Sequence, residues 1–132
     1  MTAHEVLKTY YGYDHFRPLQ EEIIQSVLDG RDTLALLPTG GGKSICFQVP
    51  TLVMTQKEVE YRSDELGLCL VITPLIALMK DQVENLKRRN ILAASLHSGM
   101  SMQDQSTVFD NCQYGPYRFL YISPERLGST TF

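Results

Sequence analysis

Apolar positions along the chain follow two spacings. Leu19, Ile23, Ile24, Val27 and Leu28 recur at helical intervals and predict a helix from Pro18 to about Asp29, with Pro18 in its first turn and Gly30 as its stop. Short unbroken apolar runs predict buried strands at Asp32 to Leu37, Leu68 to Thr73, Ile91 to Leu96 and Arg118 to Ile122. Helices are expected at Ala3 to Tyr10, Lys43 to about Met54, Pro74 to about Arg89, and Ser101 to about Cys112. Pro50 should kink or shorten the second of these. An aromatic turn runs through Tyr11, Gly12 and Tyr13, Thr55 to Leu66 reads as a polar surface connection, and Gly115-Pro116 as a turn. Strands alternating with helices imply an α/β domain with parallel pairing and right-handed crossovers.

The most informative segment follows the first predicted strand. Leu36 to Ser44 read Leu-Leu-Pro-Thr-Gly-Gly-Gly-Lys-Ser. Glycines let the main chain turn with positive φ and approach a phosphate without a Cβ in the way. Lys43 can reach the β/γ-phosphates, the Ser44 hydroxyl can bind Mg²⁺, and a helix starting here adds its positive end. The full G-x-x-x-x-G-K-[ST] pattern wants a glycine where Leu37 stands, so the match is to its Gly-Lys-Ser half, with Thr39-Gly40 in the middle. A chance glycine-rich turn is the bland alternative, and the strand–loop–helix order argues against it.

At 132 residues the chain is one domain at most. A composition 43% apolar and 20% charged is that of an ordinary globular protein, and no apolar run approaches the ~20 residues of a membrane span. No membrane partner is expected. The N-terminus lacks the pattern of a signal peptide, and Cys46, Cys69 and Cys112 lack metal-ligand spacing. Buried free thiols in a reducing compartment are expected: cytoplasmic in a bacterium, nuclear in a eukaryote, not secreted. Net charge of −3 argues against an all-basic surface but leaves room for a local phosphate-binding strip.

Ligands of open parallel sheets collect at the carboxyl ends of strands. Four suspicious segments fall there: the glycine loop, Thr73 to Gln82, His97-Ser98-Gly99, and Ser123 to Leu127. Together with Phe16-Arg17-Pro18-Leu19-Gln20, Leu37 to Ser44, Pro74 to Gln82 and Tyr121 to Leu127 closely resemble RecQ-type DNA helicases of superfamily 2, from about residue 5 to residue 127. The resemblance implies an incomplete RecA-like phosphate-loop lobe, with residues 1–132 as its N-terminal part. It assigns Tyr13, Arg17 and Gln20 to adenine recognition. Gln20 offers a donor and an acceptor to the base, and Tyr13 a ring to stack on it. Thr39, Gly40, Gly41, Gly42, Lys43 and Ser44 form the phosphate loop, with Lys43 catalytic and Ser44 on Mg²⁺. Thr73, Pro74, Lys80, Gln82, Ser123 and Arg126 are implied to track single-stranded or partly duplex DNA.

Taken without the resemblance, these residues have plainer uses. Gln20 is a polar residue in a first helical turn. Thr73-Pro74 is an ordinary strand-to-helix junction, with Leu75, Leu78 and Met79 as core. Glu125 and Arg126 pair with neighbours, and Lys87-Arg88-Arg89 is a solvated helix end. His97 is structural or a DNA-edge residue rather than a catalytic one.

The acidic Asp-Glu-x-His that the family uses for hydrolysis does not occur in these residues. The resemblance therefore implies an ATP-dependent 3′→5′ DNA helicase as the parent enzyme, with little turnover expected from these residues alone. Incomplete sheet edges suggest self-association. The rival functions are a non-catalytic nucleotide- or DNA-binding module and a phosphate-loop kinase of small molecules.

Overall fold

A computed structural model describes residues 1–38, 42–61, 67–97, 99–114 and 117–125. The chain divides into two compact units, Met1–Ser63 and Asp64–Phe132.

The first unit is helical. Helix α1 (Ala3–Val6) is capped by Thr2, whose hydroxyl accepts the Glu5 N–H at 3.2 Å, and runs into a π-helical turn at Leu7–Tyr11. The single helix expected at Ala3 to Tyr10 is thus two pieces, ended by Gly12 at φ 75°. Helix α2 (Gln20–Leu28) starts two residues later than expected, because Leu19 takes a left-handed conformation at φ 73°. Leu19 is 53% exposed and drops out of the apolar stripe, whereas Ile24 is buried. Gly30 ends α2 as expected, at φ 81°, its N–H donating to the Val27 carbonyl at 3.0 Å.

Helix α3 (Lys43–Tyr61) packs on α1 and α2. It continues past Pro50 and takes up the first part of the connection expected at Thr55 to Leu66. Burial explains why the proline is tolerated: Pro50 lies on the inner face with Cys46, Val49 and Val53, and packing outweighs one lost backbone bond. The next residue, Thr51, donates its hydroxyl to the Phe47 carbonyl at 2.9 Å.

The strand expected at Asp32 to Leu37 does not form. The segment is extended, and Leu34 and Leu36 are 87% and 81% exposed. A strand is held by its ladder, and among the described residues this one has no ladder partner. Its alternate residues Thr33, Ala35 and Leu37 line a cavity of about 210 Å³ with Ile23, Val27, Lys43, Cys46 and Phe47.

The second unit carries the sheet. Strands β1 (Cys69–Ile72), β2 (Ala93–Leu96) and β3 (Phe119–Ile122) are all parallel, in the order β1-β3-β2. β3 is therefore central, and all four of its residues are buried. Helix α4 (Ile76–Arg88) follows β1, and α5 (Met102–Tyr114) follows β2. One sheet face, with Ala94, Leu96, Leu120 and Ile122, packs on Val108, Phe109 and Cys112 of α5. Met79, Val83 and Leu86 are the buried residues of α4. Leu75 and Leu78, expected in the core, are 60% and 41% exposed. Helix α4 ends at Arg89, followed by Asn90 at φ 63°, and Ser101 caps α5 by accepting the Asp104 N–H at 3.1 Å. Cys46 is buried, while Cys69 and Cys112 are only half-buried. Among the described residues no helix is long and apolar enough to cross a membrane.

Gly30 has open space where a Cβ would go, so its conformation alone resists substitution. Gly30→Ala is expected to cost about 1–2 kcal/mol of stability, measured by urea unfolding, from left-handed strain.

Candidate functional site

In the first unit the site is built around one amide. Gln20 opens α2 and is 1% exposed. Its Oε1 accepts the Arg17 backbone N–H at 2.8 Å, and its Nε2 donates to the Gly42 carbonyl at 3.1 Å. The segment Phe16 to Gln20 is thereby tied to the end of the glycine loop, 22 residues on. A buried amide left unbonded costs about 1–3 kcal/mol, so the tie is strongly favoured.

Gly42 sits at φ 77°, and a Cβ there would lie 2.2 Å from Gln20 Nε2 and 3.8 Å from Arg17 Cδ. The close approach and the left-handed backbone both demand glycine. Arg17, Gln20 and Gly42 thus converge. Lys43 and Ser44 begin α3 directly behind them, Lys43 exposed and Ser44 half-buried. Thr39, Gly40 and Gly41 lie outside the described residues.

Tyr13 is 52% exposed, just past Gly12, with its ring available for stacking. The turn that presents it is pinned by Lys8 Nζ donating to Asp14 Oδ1, and this bond holds the Asp14 carboxyl below the usual carboxylate range. Burial pushes up the thiol of Cys46, one turn into α3.

In the second unit the candidate residues stand at the carboxyl edge of the sheet. Ile72, Ile122 and Leu96 lie in one row of the register, and Thr73, Ser123 and His97 follow them directly. The Thr73 N–H donates to the Ile122 carbonyl at 3.1 Å, and the Thr73 hydroxyl accepts the Leu75 N–H at 3.4 Å. Ser123 is 1% exposed, and its hydroxyl is the one buried side-chain group among the described residues with no hydrogen-bond partner. A buried hydroxyl without a partner is costly, and a bound acceptor would relieve it. His97 is buried and its Nδ1 accepts the Gly99 N–H at 3.2 Å, in keeping with a structural role. Pro74 and Lys80 are exposed. Arg126 lies outside the described residues.

These arrangements match a known family. The profile of the DEAD/DEAH box helicases covers residues 17–131. The chain belongs to the DEAD/DEAH box helicase family. Within it, the chain is 46% identical over 123 residues to the ATP-dependent DNA helicase RecQ of Synechocystis, covering 93% of this chain and 23% of that one. It is 41% identical over 131 residues to RecQ of Haemophilus influenzae, covering 99% and 19%. RecQ of Bacillus subtilis is also 41% identical, with 98% and 20% covered. The chain thus spans about a fifth of the length of these RecQ relatives. The crystal structure of the DUF1998 helicase MrfA bound to DNA superposes with a TM-score of 0.71 over 97% of this chain and 17% of that one, at 20% identity. That likeness supports the α/β fold of a helicase lobe.

One contact of the helicase chain escapes sequence reasoning. Gln82, assigned to DNA, has its Oε1 bonded to the Tyr121 hydroxyl at 2.6 Å, across 39 residues. A tyrosine inside a buried strand signals that its hydroxyl needs a partner, but sequence does not name which.

Gly42→Ala is expected to destabilise the helicase chain more than Gly30→Ala, by roughly 1–3 kcal/mol for the displaced Gln20 amide. Parallel urea unfolding of both variants measures the difference, and equal losses would mean that the amide is not held as described.

Proposed function

We propose that the chain is the nucleotide- and DNA-binding N-terminal part of a helicase lobe, from an ATP-dependent 3′→5′ DNA helicase. The observation that carries the reading is the Gln20 amide bonded to Gly42 at the mouth of a Gly-Lys-Ser loop. It joins a base-reading amide to a phosphate-binding turn. Tyr13 stacks on the adenine, and Arg17 and Gln20 recognise it. Residues Thr39 to Ser44 hold the phosphates, Lys43 offsets their charge, and Ser44 is the Mg²⁺ ligand. A Cβ at Gly42 would collide with the Gln20 amide, so glycine there keeps Gln20 against the end of the loop. Mg·ATP, when bound, supplies the phosphoryl group whose transfer to water drives motion.

DNA contact is assigned to the carboxyl edge of the second unit. Thr73, Pro74, Lys80, Gln82, Ser123 and Arg126 are its residues, and the unpartnered Ser123 hydroxyl supports a phosphate acceptor there. Such contacts position a strand without reading its sequence, and they weaken with salt.

Calorimetric titration with Mg·ATP tests the nucleotide half. Lys43→Ala is expected to lower affinity at least tenfold, and Gln20→Ala to narrow the preference for ATP over GTP. Equal affinity in wild type and Lys43→Ala would refute the assignment. These residues contain no Asp-Glu-x-His tetrapeptide, whose carboxylates would anchor Mg²⁺ and orient the attacking water. No appreciable ATP hydrolysis is therefore expected from them, with or without single-stranded DNA. DNA-stimulated turnover abolished by Lys43→Ala would contradict this.

A further inference from the structure

We infer that Tyr121 is a positioning residue for the DNA-contacting edge, acting through Gln82. The inference rests on the DNA-binding reading above and changes the role of Gln82 within it.

The two faces of the sheet are distinguishable. Leu120 and Ile122 pack toward α5, whereas Tyr121, between them, reaches α4 through its hydroxyl. Ser123 has the same parity as Tyr121, which places it on the α4 face at the carboxyl end of β3. Helix α4 also begins at that end, because it follows β1 and β1 is parallel to β3. The start of α4 and the orphaned Ser123 hydroxyl are therefore brought to the same corner by two different elements.

Something must hold those elements in step. Leu75, at the N-cap of α4, makes no side-chain capping bond, and the Thr73 hydroxyl reaches the Leu75 N–H only at 3.4 Å. The Tyr121–Gln82 bond is shorter, at 2.6 Å, and Tyr121 is 1% exposed. It pins the second turn of α4 to the central strand, one residue from Ile122 and two from Ser123. A directional bond thereby adds to the burial of Met79 and Val83 in setting where the helix lies along the strand. In this arrangement the Gln82 carbonyl is an internal anchor, and the DNA contacts fall to Thr73, Lys80 and Ser123.

The test is a double-mutant cycle on the full chain, reading single-stranded DNA affinity by fluorescence anisotropy, Mg·ATP affinity by calorimetry, and thermal unfolding. Tyr121→Phe removes only the hydroxyl and with it the bond to Gln82 Oε1. It is expected to weaken DNA binding about five- to tenfold with Mg·ATP affinity unchanged. Gln82→Leu should do the same. The double variant Tyr121→Phe/Gln82→Leu should be no more than about twofold weaker than either single variant, since all three lose the same bond.

A double variant weaker than wild type by the product of the two separate losses would show Gln82 and Tyr121 acting independently and overturn the inference. So would a Tyr121→Phe variant that melts earlier but binds DNA normally. If wild type binds no DNA at low salt, the DNA-binding reading itself fails and this inference falls with it.

Discussion

The arrangement of the first unit depends on where one buried amide sends its two ends. Gln20 is closed off from solvent, so both its oxygen and its nitrogen must be bonded inside the protein. The oxygen takes the Arg17 N–H and the nitrogen takes the Gly42 carbonyl. Those two bonds fix the entry to α2 and the start of α3 relative to each other. They also explain the left-handed conformation of Leu19, which turns the chain so that Gln20 opens α2 facing inward. The strained residue and the constrained glycine are two sides of one contact. Strain of this kind persists where surrounding structure over-determines it.

The second unit uses a similar device with different geometry. A buried strand tyrosine holds a helix glutamine, and the polar groups of interest stand at the end of that strand. In each unit a long-range bond to a glutamine amide orders the backbone beside candidate ligand groups. In the second unit the Ser123 hydroxyl has no hydrogen-bond partner, while the Tyr121 hydroxyl behind it is bonded to Gln82.

Much of this was legible in the chain. The stops and starts with a local cause came through: Gly30 after α2, Ser101 before α5, and the strand–helix alternation of residues 68 to 122. Each depends on residues within a few positions of one another. The failures share the opposite property. The run from Asp32 to Leu37 has strand composition but needs a ladder partner to be a strand, and composition does not supply one. Pro50 was read by its local cost, whereas burial of its face decided the matter. Leu75 and Leu78 looked like core because they are apolar, yet the buried seam of α4 runs through Met79, Val83 and Leu86. At the site, the motif picked out Gln20 and Gln82 but gave no hint that their amides are bonded to Gly42 and Tyr121, 22 and 39 residues away.

We propose that the Gln20 amide joins the nucleotide site when Mg·ATP fills the phosphate loop. Nuclear magnetic resonance of the glutamine side-chain amides, with Mg·ATP added stepwise, follows that engagement directly. The Gln20 Nε2 resonance should shift in proportion to site occupancy, and the shift should be lost in Lys43→Ala. A Gln20 resonance that stays fixed while Mg·ATP saturates the chain would contradict the account.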